Sequence, residues 1–333
     1  MHAALASADP QDGILFQVRK TLEDLGVTTE VMRRKQYAIA RDADVVIVTG
    51  GDRGMLHYFH QMVDDSAPVL GMYESDSTGF LAQIETKDLE MAINRLRSGD
   101  FSVDEVTRLG VKVDGKDIDP VLNDVALFPS KSATLMEHKL KINGEDVWHD
   151  NSDGVVIATP IGSTAYSMSA GGPMILRRAR VFVIVSVNSI DVTRRPLVVS
   201  DDTVVEIDDV TSRYHCEVIP DGGKRLTIKK SLRCSKHQFP AKLVRLEEDS
   251  AAISLMAKKV RLAEDLLGMP PSAKLVLKTL EYEGPLSQKD LASRTMLPER
   301  TVRLALSHLL GKGYVRKKVS LRDARQRIYE LKL

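Results

Sequence analysis

The sequence is poor in cysteine and contains no long apolar run. Its two cysteines, Cys216 and Cys234, cannot form a dense disulfide framework, and their spacing is not that of a metal site. No apolar stretch approaches the ~18 residues of a membrane-spanning helix, and the first residues lack a basic segment followed by an apolar one. We therefore expect a cytoplasmic protein with neither a membrane span nor an export signal.

The composition is that of a folded protein with more than one domain. Of 333 residues, 28% are charged and 43% are apolar, which argues against disorder and is enough for two or three cores. The net charge of +1 hides an asymmetry, because residues 270–333 contain 14 Lys and Arg against 6 Asp and Glu. This basic segment is typical either of contact with nucleic acid or of a solvated surface.

Residues 1–103 have the pattern of an open α/β sheet. A strand over 2–6 precedes a helix that starts at Asp9-Pro10 and ends at Gly26, and strands follow over 27–31 and 43–49. Ligands bind such sheets beyond the carboxyl ends of the strands, where this chain has Gly50-Gly51-Asp52-Arg53-Gly54. The glycines let a phosphate approach the backbone, and a helix predicted over 55–63 favours an anion at its N-terminus.

Asp52 places a negative charge in this loop. A carboxylate there repels phosphate unless it orients or deprotonates a hydroxyl, or holds hydrated magnesium. The alternative is that Asp52 forms a turn or caps the helix. The local pattern leaves both interpretations open.

Residues 104–246 consist mainly of short β-branched segments separated by Gly, Asp and Asn, which predicts an all-β domain. The predicted strands cover residues 109–113, 121–128, 138–142, 155–159, 181–186, 204–207, 215–220 and 226–229. Asn123 and Asp124 are expected within one of these strands, where buried polar side chains need hydrogen-bond partners or a ligand. Asp221-Gly222-Gly223 is typical of a hairpin turn. Residues 242–246 and a helix over 253–267 return to an α/β pattern.

One stretch, residues 152–173, combines a predicted buried strand with a loop rich in glycine and hydroxyl groups. The loop Thr159-Pro160-Ile161-Gly162-Ser163-Thr164 is followed by a predicted short helix over 163–170, which Gly171-Gly172-Pro173 ends. Such a loop can hold a polar ligand. A tightly packed strand, turn and helix explains the same pattern without one.

Taken together, these segments resemble the NAD kinase family. The long segment from Asp153-Gly154 to Gly171-Gly172-Pro173 is very similar to the signature of that family, Gly50-Gly51-Asp52 resembles its GGDGT motif, and Leu122-Asn123-Asp124 resembles its Asn-Glu motif. Arg194-Arg195-Pro196-Leu197-Val198-Val199 and Asp221-Gly222 follow in the family's order. The resemblance covers about residues 1–265.

This resemblance implies an α/β nucleotide-binding domain over 1–103, a β-sandwich over 104–246, a returning helix over 247–268, and assembly as a homodimer or homotetramer. It implies transfer of a phosphoryl group from ATP or polyphosphate to the adenosine ribose 2′-hydroxyl of NAD, with Asp52 as the catalytic base and Mg²⁺ held mainly by phosphates and water. The implied NAD-binding residues are Asn123, Asp124, Asp153, Thr164, Ala165, Tyr166 and Ser169. The implied phosphate-binding residues are Gly50, Gly51, Arg53 and Gly54.

Two departures from the family's motifs bear on activity. Arg53-Gly54 stands where the family usually has Gly-Thr, so a Cβ at position 53 restricts positive φ while its guanidinium can pair with phosphates. Asp124 stands in place of Glu and is one methylene shorter. The alternative function is therefore a catalytically weak NAD- or NADP-sensing transcription regulator. Related lipid and sugar kinases also have glycine-rich GGD loops, but they are less similar over residues 153–173.

Residues 269–333 resemble a winged helix-turn-helix domain of bacterial and archaeal transcription regulators. After a predicted linker over 269–272, the pattern predicts helices over 273–280, 286–294 and 298–310, then strands over 314–319 and 326–331 around a basic turn at 322–325. The resemblance implies DNA contact through 273–333, with Arg300, Thr301 and Arg303 exposed on the recognition helix. Val302, Leu304, Leu306, Leu309 and Leu310 are predicted core residues. The alternative is a dimerisation or regulatory domain that does not bind DNA.

Overall fold

The computed structural model describes residues 1–8, 13–32, 36–74, 80–131, 133–246, 268–283, 285–319 and 327–331. One compact unit comprises the described residues up to Leu246, and a second comprises those from Gly268 onward. The first unit contains three sheets and the second contains one. Among the described residues, no helix combines the length and apolar character that crossing a bilayer requires.

The N-terminal part of the first unit alternates strands and helices, as its sequence pattern predicts. Its elements are β1 (His2–Ala6), α1 (Gly13–Asp24), β2 (Thr28–Val31), α2 (Tyr37–Asp42), β3 (Val45–Val48), α3 (Gly51–Gln61), β4 (Val69–Tyr73), β5 (Ile84–Glu85), α4 (Leu89–Ser98) and β6 (Ser102–Val106). All four residues of β3 are buried apolar side chains, which is typical of a parallel strand covered on both faces. Helix α1 buries Leu15, Val18 and Leu22 along one face.

The rest of the first unit is almost entirely strand. Its elements are β7 (Leu109–Val113), β8 (Lys116–Asp117), β9 (Asp124–Pro129), β10 (Met136–Ile142), β11 (Glu145–Ser152), β12 (Gly154–Ala158), α5 (Tyr166–Ser169), β13 (Val181–Val187), β14 (Leu197–Ser200), β15 (Val205–Ser212), β16 (Cys216–Pro220), β17 (Leu226–Ile228), β18 (Leu232–Lys236) and β19 (Ala241–Arg245). Both cysteines are buried free thiols, and burial raises the pKa of Cys234 to about 12.

The strands form one mixed sheet and two antiparallel sheets. The mixed sheet has the order β2-β1-β3-β4-β19-β6, with β5 paired to β4, so the predicted return of residues 242–246 to the α/β domain is confirmed. The antiparallel sheets have the orders β11-β10-β15-β18-β7-β8 and β14-β13-β12-β9-β16-β17. Their inward-facing apolar side chains share one core, which includes Val111, Leu140, Ile157, Phe182 and Ile207.

Helix α3 connects the mixed sheet with the β-rich part. It begins at Gly51 rather than at the predicted residue 55, so Asp52 and Arg53 lie in its first turn. At its other end, the guanidinium of Arg108, which is 1% exposed, donates to the carbonyl oxygens of Phe59 at 3.1 Å and Met62 at 2.6 Å. These bonds satisfy carbonyl groups that have no partner within the helix. The C-terminal end of α3 is therefore fixed relative to the β-rich part.

The structure corrects two predictions near the signature stretch. Asn123 precedes β9 and does not lie within a strand, because the N–H groups of residues 122–124 all bond to the side chain of Asp221. The helix predicted over 163–170 is a 3₁₀ turn at Gly162–Thr164 and the single turn of α5, separated at Ala165 by a non-helical backbone. The helix predicted over 253–267 and the basic turn at 322–325 lie outside the described residues.

The second unit contains three helices and a small antiparallel sheet. Its elements are α6 (Pro271–Glu283), β20 (Leu286–Ser287), α7 (Gln288–Thr295), α8 (Glu299–Gly311), β21 (Val315–Val319) and β22 (Arg327–Leu331), with strand order β20-β22-β21. A capping box between Ser287 and Asp290 starts α7. Three helices followed by a hairpin agree with the order of elements predicted from the sequence.

Three details of the second unit differ from prediction. Met269 is 3% exposed and packs in the core, and α6 begins at Pro271, so residues 269–272 are not a linker. Leu304 is 64% exposed and Leu310 is 36% exposed, and neither is a core residue. Leu304 lies on the other side of α8 from Val302, Leu306 and Leu309, which are buried as predicted, and Leu310 lies at the edge of the buried face.

Candidate active site

The glycine-rich turn lies at the carboxyl end of β3, where an open α/β sheet binds its ligands. Gly50 has a φ of 91° and Gly51 a φ of 63°, which L side chains rarely adopt. Arg53 lies inside α3 with a φ outside the left-handed region, so its Cβ causes no backbone strain. The side chain of Arg53 is exposed at the first turn of the helix. The predicted steric cost of replacing glycine at this position is therefore absent.

Gly54 is required for packing. A Cβ at this position would lie 2.0 Å from the carbonyl oxygen of Thr49. The N–H of Gly54 donates to the carbonyl of Gly50 at 3.0 Å. The tight contact holds the start of α3 against the end of β3. Gly50 and Gly51 are therefore better placed than Gly54 to present backbone to a phosphate.

The Asp52 carboxylate accepts hydrogen bonds from three successive backbone N–H groups. Oδ1 lies 2.9 Å from the nitrogen of Phe80, 2.7 Å from that of Leu81 and 3.0 Å from that of Ala82. Oδ2 lies 3.0 Å from the nitrogen of Phe80. N–H donors stabilise the negative charge and fix the orientation of a carboxylate. These bonds therefore hold the Asp52 carboxylate rigidly at the first turn of α3.

Asp221 organises the segment that contains Asn123 and Asp124. Its Oδ1 accepts from the N–H groups of Asn123 at 2.7 Å and Asp124 at 3.0 Å, and its Oδ2 accepts from Leu122 at 2.9 Å. Oδ2 also lies 2.6 Å from Nε2 of His60 on α3. The side chain of Asp221 is 0% exposed, so it is a fully buried carboxylate between α3 and the β-rich part.

Asp124 is a buried carboxyl group beside this centre. The residue is 3% exposed, and its pKa is raised to about 7, mainly by burial and then by the charge of Asp221. A hydrogen bond from the backbone N–H of Tyr166 acts in the opposite direction. Asp124 can therefore carry a proton near neutral pH, unlike an ordinary aspartate.

The loop after β12 interlocks with the same segment. The hydroxyl of Thr159 donates to the carbonyl of Leu122 at 2.6 Å, and its N–H donates to that of Asn123 at 2.8 Å. A Cβ at Gly162 would lie 1.9 Å from the Asn123 carbonyl oxygen, so only glycine fits. The tight packing considered for this loop is present, and it presses the loop against Asn123 and Asp124.

The remaining predicted NAD-binding residues lie along β12 and over its sheet. Thr164 and Ala165 are half-buried, while Tyr166 and Ser169 are exposed. The Tyr166 ring lies 5.8 Å from the Phe128 ring, and a Cβ at Gly154 would lie 2.4 Å from that same ring. Asp153, whose carboxylate accepts from Nδ2 of Asn188 at 2.8 Å, directly precedes β12, at the end opposite to Thr159. The predicted residues are therefore spread along β12, from buried Asp124 at one end to Asp153 at the other.

Comparisons of the chain with known proteins identify its family. A family model described as the ATP-NAD kinase C-terminal domain matches residues 122–246. An NAD kinase of Methanopyrus kandleri is 33% identical over 207 residues, which is 62% of this chain and 74% of the relative. An NAD kinase of Thermococcus sibiricus is 34% identical over 209 residues, with 62% and 75% covered. The chain belongs to the NAD kinase family.

The fold agrees with that of a solved NAD kinase. A crystal structure of an NAD kinase from Archaeoglobus fulgidus in complex with ATP superposes with a TM-score of 0.65 at 24% identity, covering 78% of this chain and 99% of the other. The resemblance predicted from the GGD and signature motifs is therefore confirmed at the level of family and fold. These comparisons with NAD kinases do not support the assignment of the second unit as a winged helix.

Sequence reasoning missed two residues of this NAD kinase site. Asp221 was expected to form a hairpin turn and followed the order of the family's segments, but it had no predicted role in binding or catalysis. His60 lies in the helix predicted over 55–63 and had no predicted role either. The Asp-Gly-Gly sequence gave a signal for the turn, but nothing local shows that its carboxylate is buried. Among the described residues, no group of three or more His, Cys, Asp and Glu is arranged to hold a metal ion.

Proposed function

We propose that this chain catalyses the NAD kinase reaction, in which the adenosine ribose 2′-hydroxyl of NAD attacks the terminal phosphorus of a phosphoryl donor. Helix α3 carries this proposal, because it has Asp52 in its first turn and His60, the partner of buried Asp221, in its last. The helix thereby links the glycine-rich turn to the Asn123–Asp124 segment. Family membership supports ATP as the donor, and polyphosphate remains the alternative.

The chain's own groups have distinct roles in this mechanism. Gly50, Gly51 and the exposed Arg53 meet donor phosphates at the first turn of α3, where backbone N–H groups favour anions. As the hydroxyl oxygen bonds to phosphorus, the bridging bond of the donor breaks and Asp52 accepts the hydroxyl proton. The products are NADP and the shortened donor. Hydrogen bonds from residues 80–82 hold Asp52 in place throughout.

NAD is held by residues spread along β12. Asn123 and Asp124 lie at one end, Asp153 lies at the other, and Thr164, Ala165, Tyr166 and Ser169 belong to the segment that follows the strand. Magnesium would enter with the donor and be held by phosphate oxygens and water, with Asp52 as the nearest protein carboxylate of the turn. The ion would offset the negative charge of the transferred group.

Replacement of Asp52 by Asn tests the proposed base. We expect kcat for NADP formation to fall by at least about 100-fold, because proton transfer by a positioned group contributes about that much or more. Asp114→Asn is the matched control, since Asp114 also accepts three successive backbone N–H groups. NAD affinity and the melting temperature are measured for all three proteins. Unchanged turnover in Asp52→Asn, with the fold intact, removes Asp52 from the mechanism.

For the second unit, we propose a winged helix that contacts DNA. Exposed Arg300 and Arg303 on α8 and the excess of Lys and Arg in residues 270–333 support this assignment, whereas Thr301, predicted to be exposed, is half-buried. A regulator that senses NAD or NADP without turnover is the corresponding alternative for the whole chain. Binding of labelled duplex DNA should weaken about tenfold in Arg300→Gln/Arg303→Gln and remain unchanged in Lys289→Gln. Absence of binding at low salt contradicts the DNA role.

Sedimentation measures whether the chain is a homodimer or homotetramer, as family membership suggests.

A further inference from the structure

Two arginines converge on the single buried carboxylate of Asp104 in the first unit. Nε and Nη2 of Arg178 each lie 2.9 Å from Oδ1, and Nε of Arg245 lies 2.9 Å from Oδ2. Asp104 is 8% exposed. One negative charge thus serves two guanidinium groups, and Arg177 approaches the same cluster closely enough to repel Arg245.

Arg245 is incompletely satisfied in this cluster. Its side chain is 6% exposed, and neither Nη1 nor Nη2 has a hydrogen-bond partner among the described residues. Burial, followed by the charge of Arg177, lowers the pKa of Arg245 to about 10. A buried, unpaired guanidinium edge is costly, and it indicates that positive charge is in excess here.

A cavity of about 370 Å³ opens beside these groups. Its basic lining residues are Arg177, Arg178, Arg180, Lys236 and His237, and its acidic ones are Asp104, Glu105 and Asp201. Asp201 is already paired with Lys236 at 2.7 Å, and Asp104 with Arg178 and Arg245. Neither Arg177 nor Arg180 forms an ion pair with another described residue. Glu105 offsets one of these charges, but four Arg and Lys residues against three Asp and Glu residues, with Arg245 also bonded to Asp104, leave the lining with a net positive charge.

One lining residue of the cavity contacts the segment that holds Asp52. Nη2 of Arg177 donates to the carbonyl of Phe80 at 2.9 Å, while the N–H of Phe80 donates to Asp52 at 2.9 Å. Arg177 therefore links the lining of the cavity to the proposed base through a single residue, Phe80.

We propose that this cavity binds an oligophosphate chain through Arg177, Arg178 and Arg180. Guanidinium groups match phosphate geometry with paired N–H donors, and several adjacent phosphates supply multiple negative charges to Arg177 and Arg180, which have no ion pair, and to Arg178, which shares Asp104 with Arg245. The volume exceeds that of a single phosphate group. An oligophosphate occurs either as an inorganic chain or as the tail of a nucleoside triphosphate. Its role as phosphoryl donor rests on the kinase reaction proposed above, whereas binding itself does not.

Calorimetric titration of the full chain with inorganic tripolyphosphate, and separately with ATP, tests this site in the absence of NAD. The variant Arg178→Gln/Arg180→Gln removes two cavity arginines and leaves Arg245 paired with Asp104. Its matched control, Arg213→Gln/Arg233→Gln, removes two exposed arginines from the same unit. We expect the Kd of at least one ligand to rise tenfold or more in the cavity variant and to stay within about twofold in the control. Melting temperatures check that both variants fold.

Comparison of the two ligands' affinities identifies the source of the phosphate chain. Weaker binding of tripolyphosphate alone supports an inorganic chain, and weaker binding of both supports the tail of a nucleoside triphosphate. Equal affinities in wild type and cavity variant for both ligands overturn the proposal. If binding changes as expected while wild type forms no NADP, the site stands and the kinase reaction fails. If NADP forms and the donor KM is unchanged in the variant, the donor role of the cavity fails.

Discussion

Two Asp-Gly turns in the first unit use the same hydrogen-bond pattern in opposite surroundings. Asp114 has a φ of 50° and Asp221 a φ of 46°, and glycine follows each. Asp114 accepts from the N–H groups of Lys229, Lys230 and Ser231, and Asp221 accepts from those of residues 122–124. In both, one carboxylate gathers three successive N–H groups from a distant part of the chain.

The surroundings give the two carboxylates different consequences. Asp114 is half-buried. Burial raises its pKa, but its backbone N–H donors together have the larger effect, so the pKa is lowered. Asp221 is fully buried, contacts His60 and raises the pKa of neighbouring Asp124. The Asp114 turn thus only joins two strands, whereas the buried Asp221 carboxylate positions Asn123 and Asp124.

The largest difference between the turns should appear on removal of the carboxylate. Asp221→Ala leaves three buried N–H groups without their acceptor, and we expect the free energy of unfolding to fall by about 3–5 kcal/mol. NAD affinity should fall as well, because the segment before β9 loses its anchor. Urea denaturation and calorimetry measure the two effects. A loss no larger than that of Asp114→Ala would contradict the assigned role of Asp221.

A pH series separates the buried carboxyl pair from the surface turn. Because the folded-state pKa of Asp124 is about 7 and the unfolded value is about 4, the folded protein binds the extra proton. This contribution to stability is therefore lost as pH rises from about 4 to 7. We expect the stability of Asp124→Asn not to show this loss, so that its free energy of unfolding at pH 8 exceeds that of wild type by about 1–3 kcal/mol. Parallel stability curves for the two proteins would show that Asp124 is ionised throughout.

The smallest effect is expected at the exposed turn. Asp114→Ala should lower the free energy of unfolding by no more than about 1 kcal/mol at pH 7, since water can replace the lost acceptor. Because the pKa of Asp114 is lowered in the folded protein, its carboxylate stabilises the fold above the unfolded pKa of about 4. This stabilisation is lost as pH falls through the folded pKa. Urea denaturation at pH 7 and pH 3 measures this. A larger loss than in Asp221→Ala would reverse the comparison.

Much of the site could be predicted because its residues lie in contiguous motifs. The GGD turn, the Asn123–Asp124 pair and the stretch from Asp153 to Pro173 each have a local sequence pattern, and together they indicated the NAD kinase family. His60 and the role of Asp221 could not be predicted, because their meeting joins positions 161 residues apart. The arginine cluster at Asp104 was missed for the same reason, since its members come from β6, β19 and the segment before β13.

Local pattern also failed where tertiary contacts replaced regular hydrogen bonds. Residues 121–128 are apolar enough to predict one strand, yet β9 begins only at Asp124 because Asp221 takes the preceding N–H groups. In α8, Leu304 and Leu310 are apolar but exposed, so the core-facing side of that helix was only partly predicted.

The sequence by itself determined the order of elements, the glycine-dependent turns and the family to which the chain belongs, because these depend on neighbouring residues and backbone conformation. Only the tertiary structure decided which carboxylates are buried, which arginines share one partner and which polar groups face each other. Those properties depend on desolvation and on distances between remote segments. Asp114-Gly115 and Asp221-Gly222 are alike as sequence, and burial alone makes one of them part of the site.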